Sequence, residues 1–232
     1  MKQYRNEWKY IVHEKDIAVI QERLNAVMEK DIHGDPSGMY SVHSVYFDDH
    51  TDSCAKKNEA GVSERYKYRI RYYGSDPHTL HLERKEKLMG MCHKDSAPVT
   101  LQEYECLMNG DVTDLFWNTD NQLIREFCIH IMNRRFTPKA VVDYERIAFA
   151  EPLTNVRITF DKNISVSDHT DEFLSGSYTR YPLQHAGCHI LEVKFDEILP
   201  GYLKNIITTR ELIQSAFSKY YLGRLVLQNI NR

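Results

Sequence analysis

No apolar run in the 232-residue sequence approaches the roughly 18 residues that a membrane-spanning helix needs. The start, MKQYRNEWKY, has no apolar segment of the secretory kind, so export is not expected. Cysteine is scarce and scattered: Cys54, Cys92, Cys106, Cys128 and Cys188 are odd in number and include no CxxC pair. That argues against a disulfide framework and predicts reduced thiols, packed in the interior of a cytoplasmic protein. The stretch QHAGCH offers His185, Cys188 and His189, but no second ligand pair to complete a zinc site. There is no G-x-x-x-x-G-K-S/T phosphate loop and no H-E-x-x-H. Nor is there an excess of charge: 30 basic residues stand against 33 acidic ones, a net of −3. This excludes the broad polyanion-coating surface of duplex-binding proteins. Low-complexity tracts, repeats and Pro/Gly/Ser linkers are also missing, so a single domain over residues 1–232 is expected.

What the sequence has is alternation. In ERYKYRIRYYG, Arg65, Lys67, Arg69 and Arg71 occupy every second position, with Tyr66, Tyr68, Ile70 and Tyr72 between them. A period of two puts the cations on one face of a strand and the apolar groups on the other. The pattern recurs. Glu7 and Lys9 oppose Trp8, Tyr10 and Val12; His81, Glu83, Lys85 and Lys87 alternate with Leu80, Leu82, Arg84 and Glu86. Arg157, Thr159 and Asp161 oppose Val156, Ile158 and Phe160, and Glu192, Lys194 and Asp196 oppose Leu191, Val193 and Phe195. Tyr144 and Arg146 share their face with Val142 and Ala148. Strands are predicted over 6–13, 41–48, 64–73, 79–87, 139–149, 155–161 and 188–196. Helices are predicted over 16–30 with Asp16 as N-cap, after Thr100 in a capping box with Glu103, over 121–134, and as one or two segments in 202–227. The order suggests an α+β fold with a mainly antiparallel sheet.

A solvated sheet face explains any one of these strands. It does not explain cations recurring on neighbouring strands, because like charges set opposite each other destabilise a sheet. A second geometry does. In a closed antiparallel barrel of about eight strands, the charged faces line the interior and the helices pack outside. Such an interior is costly when empty and is relieved by a phosphate-rich anion, which Arg binds as a fork and Lys as a point charge. The acids on that face, Glu7, Glu83 and Glu192, then suit Mg²⁺ or Mn²⁺ held against the same phosphates.

At these residues the sequence resembles the VTC domain, the polyphosphate polymerase branch of the triphosphate tunnel metalloenzymes. The matching stretches are RNEWKY, SVYFDD, ERYKYRIRYYG, LERKEK, PKAVVDYERIAF, VRITFDKNI, ILEVKFD and FSKYYLGR, in the family's order, over about residues 4 to 225. The resemblance implies a tunnel-shaped barrel, ATP as phosphate donor, inorganic polyphosphate as product and a divalent metal. It carries phosphate-binding roles onto Lys9, Arg69, Arg71, Lys85, Lys94, Arg146, Arg157, Lys194 and Lys219, a tunnel tyrosine onto Tyr144 and a metal-binding role onto Glu192. Lys67 and Arg65 share the cationic face nearer the strand's start, at the expected tunnel mouth. Hydrolase relatives begin with E-x-E-x-K; here the first acidic position is Arg5, which favours a polymerase-like site. Compared with eukaryotic relatives, no phosphate-sensing SPX domain or membrane helix is expected, so a membrane-protein partner would take any exported polymer.

Other readings compete. A triphosphatase of the same fold shares nearly every residue and differs in its product. A non-catalytic polyphosphate-binding module would bind without turnover. The mix of Tyr and Arg in 64–73 also invites single-stranded RNA, but the two sets face opposite ways and the glycine positions of an RRM are missing. No nucleic-acid partner is therefore expected.

Overall fold

The computed structural model describes residues 2–31, 34–208 and 212–230. Along the chain run β1 (Asn6–His13), α1 (Glu14–Asn25), β2 (Glu29–Lys30), β3 (Met39–Asp48), α2 (Ser53–Glu59), β4 (Glu64–Tyr73), β5 (Leu80–Leu88) and β6 (Met91–Val99). They continue with α3 (Leu101–Asn109), α4 (Thr113–Asn118), α5 (Gln122–Arg134), β7 (Thr137–Glu151), β8 (Val156–Ser167), β9 (Tyr181–Pro182), β10 (Cys188–Phe195), α6 (Gly201–Ile207) and α7 (Lys219–Ile230). Every strand pairing is antiparallel, in the order β1-β10-β8-β7-β3-β4-β5-β6, with β2 added on β7 and β9 on β8. The α+β class follows.

The expected closed barrel does not form as a ladder: among the described residues β1 and β6 stay the two ends of the strand order, and one isolated bridge joins them. The sheet curls until Arg5, just before β1, meets Cys92 of β6 through two backbone bonds of 2.9 and 2.8 Å. Beyond that bridge the two edges part. Lys9 of β1 instead accepts from the Ser215 amide at 2.8 Å, and Tyr10 bridges Gln214. The chain leading into α7 thus fills the free edge of β1, a position where unpaired strand groups would otherwise be exposed.

Alternation decides which side each residue takes. The apolar face of β4 (Tyr68, Ile70, Tyr72) is buried with Val45 and Phe47 of β3 under helices that contribute Tyr104, Leu107, Ile124, Phe127 and Ile131. A second core joins Val12, Phe149, Ile158, Phe160, Leu191 and Val193 to Ile17, Ile20 and Leu24 of α1 and Leu203 and Ile207 of α6. Each such side chain contributes about 1.5–3 kcal/mol on burial. On the polar side, part of the interior is filled by α7. Tyr220 stacks on Tyr46 with ring centres 5.1 Å apart and donates to Asp48 at 2.9 Å. Gly223 lies where an added Cβ would come within 2.9 Å of Val166.

Two sequence expectations shift, and a third is narrowed. α1 starts at Glu14 with His13 as N-cap, and Asp16 acts from the third position by accepting the His13 amide at 3.3 Å. β6 is not among the predicted strands: MCHKDSAPV is poor in β-branched and aromatic residues and contains Pro98, and its pairing with β5 makes it a strand. The C-terminal stretch forms two separate helices, and residues 209–211 of it lie outside the described residues. Among the described residues no helix is long and apolar enough to cross a membrane.

Candidate functional site

The polar faces of β1, β3, β4, β5, β7 and β10 enclose a cavity of about 420 Å³, completed by α2 and by residues 214–220. Lys9, Lys67, Arg69, Arg71, Lys85, Arg146, Lys194, Lys219, Tyr144, Glu7 and Glu192 all line it. Arg65 and Lys87 line it as well.

Three acidic centres organise the cations. In the first, Glu7 and Glu192 face neighbouring strands and share three lysines. Lys85 donates to both Glu7 oxygens at 2.5 and 2.8 Å, and Lys194 lies 2.6 Å from Glu192 and 3.9 Å from Glu7. Lys9 stands between them at 3.8 and 3.7 Å. Burial and the neighbouring Glu192 push the Glu7 carboxyl up, yet the three lysines outweigh them and hold it at about 2. The same balance, burial against Lys194, Lys9 and Lys85, leaves Glu192 well below the carboxylate range. In the second centre, Asp161 is fully buried and takes Arg146 as a fork at 2.6 and 2.8 Å and Lys219 at 2.6 Å. Burial alone would raise its pKa; Arg146 and Lys219 reverse the sign. In the third, Glu83 accepts from Arg69 at 2.8 Å and Lys94 at 2.7 Å, with Arg71 at 3.7 Å. Arg71 is then fixed by Ser44 at 2.8 Å and the Tyr144 hydroxyl at 3.0 Å, and Arg69 by the Tyr46 hydroxyl at 2.8 Å.

Lys67 differs. It donates to Asn58 at 2.9 Å and Ser218 at 2.6 Å, both neutral. Burial, followed by the positive charges of Lys9, Lys85 and Arg65, lowers its pKa to about 7. It is a half-buried amine in a cationic neighbourhood without a carboxylate.

The structure sets three expected site residues apart. Glu83 lies among Arg69, Arg71 and Lys94 and does not join Glu7 and Glu192; Lys94, held by Glu83, is not in the cavity wall. Arg157 is also outside the wall, bound to Asp31 at 2.6 Å and the Tyr40 hydroxyl at 3.1 Å. Arg5, expected as an extra cation in place of a metal ligand, turns to Asp196 at 2.8 Å and the Asn155 carbonyl. Its argument for the site therefore reduces to the missing acid. Asp161 is the main residue that sequence reasoning left out of the site, although it stood on the charged face of its strand. Cys92, expected in packing, lines the cavity and donates to Glu7 at 3.2 Å. Of the QHAGCH residues, Cys188 meets His13 at 3.5 Å and His189 meets Glu14 at 3.1 Å.

Among the described residues no three His, Cys, Asp or Glu side chains converge as metal ligands. The pair Glu7 and Glu192 does suit a divalent ion that takes one or two carboxylates and completes its shell with substrate phosphates. Thr159, across the ladder from Glu192, adds a buried hydroxyl oxygen without a hydrogen-bond partner. All three donors are oxygens, as Mg²⁺ and Mn²⁺ prefer.

The chain is similar to several solved structures. PH1819 protein from Pyrococcus horikoshii OT3 aligns with a TM-score of 0.48 at 11% identity, over 97% of this chain and 99% of that one. PH1012 protein from the same organism gives 0.46 at 16% identity, over 88% and 85%. A protein of Bacillus halodurans gives 0.49 at 12% identity, over 88% and 86%. No curated protein sequence matches significantly. The family model of the VTC domain matches residues 4–228, nearly the whole length, and the chain belongs to that family.

Proposed function

We propose that this protein is an ATP-dependent polyphosphate polymerase that moves the γ-phosphate of ATP onto the end of a growing phosphate chain. The observation that carries the reading is the convergence of Arg69, Arg71, Arg146, Lys9, Lys85, Lys194 and Lys219 around one cavity, in a chain of the VTC domain family. Phosphoryl transfer asks a protein mainly for positioning and charge neutralisation. The site offers both and has little else: its carboxylates are held ionised by lysine and arginine partners. The terminal phosphate of an acceptor chain loses its last proton near pH 6, so the nucleophile is already ionised and no general base is required.

Arg71 and Arg146 present guanidinium groups from β4 and β7 to a transferring phosphoryl group, with Arg69 beside Arg71. The Tyr46 and Tyr144 hydroxyls and Ser44 fix two of these forks in advance, so little reorganisation is needed as charge develops. Lys85, Lys194 and Lys219 neutralise the flanking phosphates. Glu192 with Glu7 would hold Mn²⁺ or Mg²⁺, which supplies further neutralisation of the phosphate oxygens when bound.

The test is incubation of the purified protein with ATP and Mn²⁺, followed by sizing of any phosphate polymer on a gel. Long chains are expected, and Arg71→Ala or Glu192→Ala should reduce synthesis by about 10²-fold or more while the protein stays folded. Release of free phosphate alone would replace the polymerase with a triphosphatase. Binding without turnover would leave a phosphate-holding module.

A further inference from the structure

Two successive rungs of the β4–β5 ladder set like charge against like charge on the cavity face. Arg65 faces Lys87, and Lys67 faces Lys85, which in turn faces Lys94 on β6. Lys85 is compensated by Glu7 and Lys94 by Glu83. Arg65 donates to the Val62 carbonyl and Lys67 to Asn58 and Ser218. Among the described residues neither of them, nor Lys87, pairs with a carboxylate, and all three line the cavity. Opposed like charges destabilise a ladder, and on the cavity face of this stretch only Lys85 is offset, by Glu7. One rung further along, by contrast, Arg69 faces Glu83. The face changes from balanced to unbalanced along a single strand.

Distance separates the two stretches. From Arg71 to Arg65 the strand advances about 20 Å, at about 3.4 Å per residue. A triphosphate, with only two P–O–P links, covers less than half of that. Phosphates clamped by Arg71 and Arg69 therefore cannot also reach Arg65 and Lys87 unless the chain is longer than a nucleotide's.

We propose that Arg65, Lys67 and Lys87 form a chain-holding subsite that binds the phosphates of a long polyphosphate beyond those of a triphosphate, and so distinguishes the two. The proposal rests on the reading of the cavity as a phosphate site and adds a length selection to it. Each additional phosphate engaged also steepens the salt dependence of binding, through release of counterions.

The experiment compares inorganic triphosphate with long-chain inorganic polyphosphate by titration calorimetry, at two salt concentrations. The proteins are the wild type, the double variant Arg65→Ala/Lys87→Ala and the charge-preserving variant Arg65→Lys/Lys87→Arg. Both substituted positions are partly exposed, and a urea midpoint confirms folding. The double variant should lose about tenfold or more in affinity for the long chain, the effect of losing two charge-assisted contacts. Its affinity for triphosphate should stay within about twofold, as for well-separated sites. The charge-preserving variant should keep most long-chain affinity, and the double variant's salt slope should flatten for the long chain. Equal losses for both ligands, or no loss for either, would overturn the subsite while leaving the phosphate cavity in place. A wild type that binds neither ligand would overturn the cavity reading and the subsite with it.

Discussion

Lys67→Met should make the ligand-free protein more stable. The native amine is fixed by two neutral acceptors and surrounded by Lys9, Lys85 and Arg65. Moving its pKa from 10.5 in the unfolded chain to about 7 in the fold, at about 1.4 kcal/mol per decade, sets a ceiling of about 5 kcal/mol on the cost of placing it there. Methionine gives up the bonds to Asn58 and Ser218, about 1 kcal/mol each, and water admitted to the cavity screens the remainder. A net gain of about 1–3 kcal/mol at pH 7 follows. The sign with pH is fixed. Between about pH 7 and 10.5 the unfolded chain holds the proton that the fold releases, so wild-type stability from this group rises with pH. The variant's advantage is therefore fully present below pH 7, narrows by about 1.4 kcal/mol per pH unit above it, and is gone before pH reaches 10.5. Urea unfolding at several pH values measures it as a shift in midpoint at constant slope. Long-chain polyphosphate should stabilise the wild type more than the variant and erase the gap by mass action. A variant that is less stable at pH 7, or a difference that does not change with pH, would show that Lys67 is charged and compensated in the empty cavity.

Other expectations bear on the remaining centres. Asp161→Asn leaves Arg146 and Lys219 buried without their carboxylate and should cost about 3–5 kcal/mol, read by urea unfolding, with polymer synthesis lost as both cations shift. Gly223→Ala forces a methyl to within 2.9 Å of Val166 and should destabilise by about 1–3 kcal/mol, read as a lowered melting temperature. Glu7, held at about 2, contributes stability that is present above its ordinary range near 4.5 and lost as pH falls towards 2. Acid unfolding followed by circular dichroism should move to higher pH when its partner is removed in Lys85→Met.

How much of this was legible before the fold is clearest in β4. The alternation of ERYKYRIRYYG fixed its extent, its buried Tyr68, Ile70 and Tyr72 and its polar Lys67, Arg69 and Arg71, because side-chain direction in a strand depends only on parity. β6 was not legible, since no propensity favours MCHKDSAPV as a strand and only its partner β5 makes it one. Residues 214–218 carry no strand pattern either, yet they occupy the open edge of β1 and part of the cavity wall. The expectation of an interior crowded with unpaired cations was half met. Acids from distant strands neutralise most of them, and among the described cavity residues Arg65, Lys67 and Lys87 have no carboxylate partner.

The sequence by itself determined the strands, the sorting of charged and apolar faces and, through several ordered motifs, the family. Those are properties of local periodicity and residue identity. Only the tertiary structure decided which cation meets which acid. Lys85 finds Glu7 from 78 residues away and Lys219 finds Asp161 from 58, across strands whose neighbours depend on how the whole sheet curls. Glu83 was assigned to the metal with Glu7 and Glu192 because all three share a charged face, and the register of β4, β5 and β6 set it beside Arg69 and Lys94 instead. Parity tells a side chain which way to point; the register and bend of the sheet determine what it meets there.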